Sequence, residues 1–188
     1  MRRQRNFIGP QGMGGMVSLW GASSMVQSVQ YVTISLSGTT TGTGTVVAVD
    51  TARSVVLLCG SFTSDSTQSQ QRTPTHVVIT NSTTVTATRL NPTTNIDVNV
   101  VVVQFAPGVV KLIQAVIITV SAASTSNTAA LTQCNTGKTI LVYNGTTFDN
   151  DDNNSCQALF SFTSTVLTLQ RNGTSNQVIS RASLLEFF

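Results

Sequence analysis

Charge is what this sequence has least of. Only 9% of its 188 residues are charged, with 10 Lys and Arg, 7 Asp and Glu, and a single histidine. An ordinary soluble domain carries roughly 25%. The formal net charge is +3, and Arg2, Arg3 and Arg5 at the N-terminus account for that excess. The remainder is near neutral and lacks the clustered Lys and Arg that a nucleic-acid-binding surface needs.

Residue types that supply catalytic and metal chemistry are also scarce. His76 is the only histidine, no Gly-x-Ser-x-Gly motif occurs, and Glu186 has no evident acid–base partner. Cys59, Cys134 and Cys156 are odd in number and irregularly spaced, which predicts buried thiols rather than a disulfide framework or a metal site. We therefore expect no enzyme, no cofactor and no metal.

Long apolar runs are absent as well. No stretch reaches the run of about 20 apolar residues that crosses a bilayer, so no membrane span is predicted. The basic N-terminus is followed by polar residues and glycines rather than an apolar segment. It is therefore not interpreted as a signal peptide.

The abundant residues are Thr, Ser and Val, which favour strands. Val32, Ile34 and Leu36 alternate with polar residues, the period of a half-buried strand. The stretch Gly38–Gly44 is interpreted as a loop, and Ser61–Thr75 as a longer one. The strands predicted for the first half are Val32–Ser37, Val46–Val49, Val55–Cys59, His76–Thr80, Thr83–Thr88 and Ile96–Phe105.

The second half of the sequence repeats the pattern of the first. Val26–Gly38 matches Val110–Ala122 at an offset of 84 residues, and Val85–Phe105 matches Leu167–Phe187 at an offset of 82. The second match aligns Arg89 with Arg171. This self-similarity predicts an all-β fold of two tandem, internally duplicated antiparallel β-sandwich units with a Greek-key or jelly-roll-like path. The expected division is an N-terminal arm (1–25), repeat 1 (26–106) and repeat 2 (107–188).

Two short segments suggest ligand chemistry. Thr136–Thr139 (TGKT) resembles the end of a phosphate-binding P-loop, but Thr132 stands where the motif needs its first Gly, and a strand pattern follows. We interpret it as a turn. The carboxylate-rich loop Asp149–Asn154 has oxygen ligands for calcium but lacks the Gly and Glu of an EF-hand, so a solvated loop tip is favoured and ion binding stays open.

The N-terminal arm is the predicted partner-binding segment. It is rich in glycine and lies outside both repeats, yet it contains the only Trp of the chain. Ordering such a tail requires apolar burial against another chain. The residues assigned to this contact are Arg2, Arg3, Arg5, Met13, Met16 and Trp20.

Two segments of repeat 1 resemble modules of known proteins. Val47–Gly60 (VAVDTARSVVLLCG) resembles a V-D-x-x-[KR]-[AS]-x-V strand–turn–strand motif, and Thr80–Phe105 resembles an ST-x-V-x-[AV]-x-R strand followed by a terminal strand. Such modules are common in virion proteins of tailed bacteriophages. Repeat 2 keeps the ends, LTLQR and LLEF, but departs at Gln133–Lys138. A weaker likeness to the H-type lectin sandwich lies in the same terminal strands.

The resemblance implies a structural role in a virion. The arm would attach the protein to other virion proteins (capsid, portal, tail or fibre proteins), and the β-body would act as a tail- or collar-associated fibre or adaptor, or as a head-decoration protein. Such modules usually form homotrimers. The alternative function is a carbohydrate-binding adhesin that contacts a host-surface glycan, for which Tyr143 and Phe148 are the aromatic candidates. A depolymerase ranks last because paired carboxylates are missing.

Overall fold

The computed structural model describes residues 24–63, 75–148 and 158–188. Within these residues the chain forms twelve β-strands and two 3₁₀ turns, and no α-helix. The predicted all-β class is confirmed. The elements of the first half are β1 Val26–Ser37, β2 Thr41–Thr45, a 3₁₀ turn Thr51–Arg53, β3 Ser54–Thr63, β4 His76–Asn81, β5 Thr84–Thr88 and β6 Asn95–Phe105.

The second half has the same succession of elements. They are β7 Val110–Val120, β8 Ser126–Ala130, a 3₁₀ turn Thr136–Lys138, β9 Thr139–Phe148, β10 Ala158–Phe162, β11 Val166–Arg171 and β12 Val178–Phe187.

The strands form three antiparallel sheets, ordered β1-β6-β3, β10-β11-β8 and β2-β5-β4-β9-β12-β7. The two halves follow one scheme: β6 lies between β1 and β3 as β12 lies between β7 and β9. Likewise β5 lies between β2 and β4, and β11 between β8 and β10. This agreement supports the internal duplication, which itself stays an inference from sequence.

Each half buries its own hydrophobic core. In the first, Ile34 and Leu36 of β1 pack in a cluster with alternate residues of β6 such as Val98 and Val100. In the second, Ile118 of β7 packs with residues of β11 and β12. Strand alternation brings these side chains to one face of each sheet. Val32 of β1 and Val116 of β7, which align in the repeat, are only partly buried against their clusters.

The prediction of a loop at Gly38–Gly44 is mostly wrong, because β2 begins within it at Thr41. A Cβ on Gly44 would lie 2.9 Å from Cγ1 of Ile34, and one on Gly42 would lie 2.9 Å from the carbonyl oxygen of Ser35. The glycines therefore let β2 approach β1 closely, where any side chain would collide. A strand that depends on missing side chains has no apolar alternation to reveal it.

The predicted strand Val46–Val49 is also wrong. Val46 and Val49 are buried but lie in irregular backbone, whose amides donate to Thr83 O and Ser82 O. The apolar pattern indicates that Val46 and Val49 are buried but does not indicate their backbone conformation. Apolar spacing alone does not distinguish a short strand from a loop that faces the core.

The apolar runs differ in burial. Val100, Val101 and Val102 of the central strand β6 are buried, as expected of a strand covered on both faces. The apolar run of β7 is less buried, and its Ile117 is 46% exposed. β7 is an edge strand of the six-stranded sheet, and one of its faces is partly open.

Candidate functional site

The predicted partner-binding residues lie outside the described part of the chain. They are Arg2, Arg3, Arg5, Met13, Met16 and Trp20. The loop Asp149–Asn154 lies outside it too. Ser24 and Met25 precede β1, which is an edge strand, so the arm is continuous with an edge strand of the body.

The two halves meet where β4 of the first adds to β9 of the second. The bridge is a single pair, His76 with Gly145, and it unites their sheets into one of six strands. Gly145 has φ +110°, and a Cβ there would lie 2.8 Å from Cα of His76 and 2.9 Å from Cδ2 of Leu58. Only glycine allows this approach without strain.

A buried asparagine ties the halves together beside that bridge. Asn144 donates from Nδ2 to the carbonyl oxygen of Val56 at 2.5 Å, across the junction. Its Oδ1 accepts a hydrogen bond from Ser183 Oγ at 2.8 Å. Because Asn144 is 2% exposed, losing either bond would leave a polar group unpaired in the interior.

His76 belongs to the same junction. It is 4% exposed and begins β4, and its Nδ1 accepts a hydrogen bond from Nε of Arg181 at 3.1 Å. Burial, and secondarily the positive charge of Arg181, lowers the pKa of His76 to about 4. The imidazole is therefore neutral at physiological pH and acts as an acceptor that orients the guanidinium.

The ends of the two central strands also touch. Phe105 of β6 and Phe187 of β12 pack edge to face, with ring centroids 6.1 Å apart and an interplanar angle of 89°. These residues align in the sequence repeat, so the same position of each half contributes to one contact. Edge-to-face rings add roughly 1 kcal/mol beyond area burial.

Two buried arginines hold loops in the two halves of the body. Arg89 is 1% exposed and donates to the carbonyl oxygens of Thr39 at 2.9 Å and Leu36 at 3.2 Å. Arg171 donates likewise to Ser124 O at 2.9 Å and Ser121 O at 2.7 Å. Burial lowers the pKa of Arg89, yet the guanidinium stays charged and satisfied by backbone acceptors. Their alignment in the repeat was the sequence signal for this shared role.

Two glutamine side chains, one in each half, form the same pair of hydrogen bonds with the backbone of a neighbouring segment. Gln30 donates to Val47 O at 3.0 Å and accepts from Val47 N at 2.7 Å. Gln114 makes the same two bonds with Thr132, at 2.9 and 2.6 Å. These amides replace a missing strand neighbour, so the polar side chains stabilise the body.

Two of the three described side-chain carboxylates form local ion pairs, and the third, Asp97, accepts a hydrogen bond from Ser35 Oγ at 2.5 Å. Lys111 Nζ lies 2.9 Å from Oε1 of Glu186, and this contact lowers the pKa of the buried Glu186 carboxyl. Asp50 pairs with Arg53 at 2.8 Å and caps the turn that follows it, which lowers the pKa of Asp50. Thr136–Lys138 forms the equivalent 3₁₀ turn, capped by Asn135 and followed directly by β9.

The cysteines are only partly as expected. Cys134 is buried, but Cys59 is exposed, which corrects the prediction of buried thiols. Cys59 lies where the β3–β6 register shifts, between Leu58 and Gly60. Cys156 lies outside the described residues.

The outer face of β1 carries an exposed apolar patch. Tyr31 is 81% and Val29 46% exposed. Tyr31 lies opposite Val101 of β6, which lies opposite Leu57 of β3. Val29 and Tyr31 are two residues apart on β1 and share its outer face, and we call these two exposed side chains the β1 patch. β1 is also an edge strand, paired only with β6.

The aromatic residue proposed for glycan contact is partly occupied. Tyr143 is 49% exposed, but its hydroxyl bonds Thr146 Oγ1 at 2.7 Å and its ring lies 6.3 Å from that of Phe160. Phe148 ends β9 and is partly buried. The two do not form an open aromatic platform.

Across residues 24–63, 75–148 and 158–188, no three His, Cys, Asp or Glu side chains come together as metal ligands, and no helix is long and apolar enough to cross a bilayer. No protein-family model, curated protein or solved structure matches the chain.

Proposed function

We propose that this protein is a non-enzymatic structural component of a bacteriophage virion. Its N-terminal arm anchors it to other virion proteins, and its β-body serves as a tail- or collar-associated fibre or adaptor, or as a head-decoration protein. The resemblance of Val47–Gly60 and Thr80–Phe105 to phage modules supports the class of protein.

The observation that carries the proposal is how the polar interior is used. Arg89 and Arg171 fix loops, Asn144 ties the halves together, and His76 orients Arg181. Groups that could otherwise serve chemistry are engaged in holding one body rigid. Rigidity of this kind suits a protein that transmits position within a particle.

The β1 patch supports assembly as the mode of action. Tyr31 and Val29 lie on a 12-residue edge strand whose second edge is unpaired in the described structure. An edge with exposed apolar side chains favours pairing with another chain. We propose that copies of this protein associate there, as a homotrimer. Light scattering should give a multimer for the wild type and a smaller species for Tyr31→Ser.

The arm is tested by incorporation into particles. Deletion should remove residues 2–23 and keep Met25, because Met25 O accepts a hydrogen bond from Ala106 N at 3.0 Å. We expect the truncated protein to keep the circular dichroism of the body but to be absent from purified particles. Trp20→Ala should lower the copies per particle more than Arg2→Ala, since buried aromatic anchors carry more binding energy than peripheral charges. Full incorporation of the truncated protein would make the body the docking surface.

A glycan-binding adhesin remains the second candidate, favoured by the exposure of Phe62 (65%) and Tyr31. Exposed aromatic rings can stack on sugar faces. Binding to host polysaccharide that Phe62→Ser abolishes, with incorporation unchanged, would support this role in addition to anchoring.

A further inference from the structure

A cleft of about 190 Å³ lies between the two halves of the body. Val55 and Val77 line it from the first half, and Ile113 and Ala115 from the second. The cleft is smaller than a typical ligand pocket, which holds roughly 300–1,000 Å³. It is small for a drug-sized ligand and suits a short chain.

One cation lines this cleft. Arg181 is partly buried, and within the described structure its guanidinium makes one hydrogen bond, from Nε to Nδ1 of His76. Its two terminal NH₂ groups have no partner among the described residues. Burial lowers the pKa of Arg181, but a guanidinium remains charged.

No carboxylate among the described residues pairs with Arg181. His76 is a neutral acceptor, because burial keeps its pKa at about 4. Asn144 and Ser183 also line the cleft, but they are bonded to each other and to Val56. A partly buried cation without a counter-ion attracts an anion, and the planar NH₂ groups match the two oxygens of a carboxylate.

We propose that this junction cleft binds a carboxylate at the end of a short aliphatic chain. Arg181 holds the carboxylate, His76 fixes the orientation of the guanidinium through Nε, and the partly exposed side chains of Val78 and Ile113 cover the aliphatic part. The ligand thereby bridges the two halves. This proposal is independent of the virion assignment.

Butyrate is the probe, and amide chemical shifts of the isotope-labelled protein report binding. We expect saturable shifts with a Kd of about 1–20 mM, since so few atoms give little binding energy. Butyramide and n-butylammonium, matched in size, should bind at least about tenfold more weakly. Equal shifts with butyramide, or no saturable shifts with butyrate, would overturn the proposal.

Two variants and one control locate the site. Arg181→Gln should abolish butyrate binding, and Ala115→Leu should block it sterically while leaving Arg181 in place; Ala115 is exposed enough to accept the larger side chain. Lys138→Gln removes an exposed positive charge outside the cleft and should bind normally. If Ala115→Leu folds and still binds butyrate, the carboxylate lies elsewhere and the proposal is wrong.

Two sources can supply such a carboxylate, a free short-chain acid or the end of another polypeptide. A peptide with a free C-terminal Val and its amidated counterpart separate them. Tighter binding of the free-ended peptide than of butyrate supports a protein chain end. Binding of butyrate alone supports a free acid, and binding of neither rejects the cleft as a carboxylate site.

Discussion

The burial of His76 predicts a specific loss of stability in mild acid. In the folded protein the imidazole is neutral, with a pKa of about 4, against an ordinary value of 6.5 in the unfolded chain. Below pH 6.5, His76 therefore binds a proton in the unfolded state but not in the folded state. The contribution of the neutral His76 to the free energy of unfolding is fully present above pH 6.5. It falls as the pH drops and is entirely lost below pH 4.

The size of the effect follows from the two pKa values. Between pH 7 and pH 5, proton binding to the unfolded state alone should lower the free energy of unfolding by about 2 kcal/mol, and complete loss would approach ~3 kcal/mol. In a chain of this length, 2 kcal/mol corresponds to a fall in Tm of about 4–8 °C. Glu186 and Asp50 have lowered pKa values, so their contributions decline only at more acidic pH.

Urea unfolding followed by circular dichroism at pH 7 and pH 5 measures this difference. His76→Gln is the matched variant, because glutamine can accept the bond from Nε of Arg181 without binding a proton. It should lose far less stability between the two pH values than the wild type. Equal losses in both proteins, or a His76 resonance that titrates near pH 6.5 in the folded state, would refute the burial argument.

Three further outcomes test other parts of the body. Gly145→Ala should destabilise the protein by more than about 3 kcal/mol, because its Cβ would collide with β4 at a positive φ; urea unfolding measures it, and a neutral effect would contradict the close approach. Arg89→Lys and Arg171→Lys should each cost about 2–4 kcal/mol in the same assay, since lysine cannot reach several carbonyls at once, and a negligible cost at either would reject its loop-fixing role. A maleimide reagent should modify exposed Cys59 well before buried Cys134, as peptide mass mapping would show; the reverse order would count against the structure of β3.

Local patterning made much of the strand content predictable. The strands β4, β5 and β6 follow closely the apolar alternation and turn residues of His76–Phe105, because each residue's neighbours in sequence decide its face. β2 could not be predicted this way. Its glycines are required because β1 packs closely against it. This is a tertiary contact, and it produces no apolar periodicity in the sequence.

The contacts between the two halves could not be predicted from the sequence for a related reason. His76 and Arg181 are 105 residues apart and meet because His76 of β4 pairs with Gly145 of β9, which in turn pairs with Arg181 of β12. An isolated histidine at the start of a strand carries no sign of its partner. The alignment of Arg89 with Arg171, by contrast, was visible in the repeat and corresponds to matching loop contacts.

The scarcity of charge and the location of the charges are connected. A chain with 9% charged residues places Arg89, Arg171 and Glu186 in its interior, where each must be paired or bonded to backbone to be tolerated. The exterior then carries few charges, such as Lys138, among hydroxyls, amides and apolar side chains such as Tyr31. Such a surface has little charge repulsion to keep copies apart. The low surface charge is therefore consistent with the association through the β1 patch that we propose.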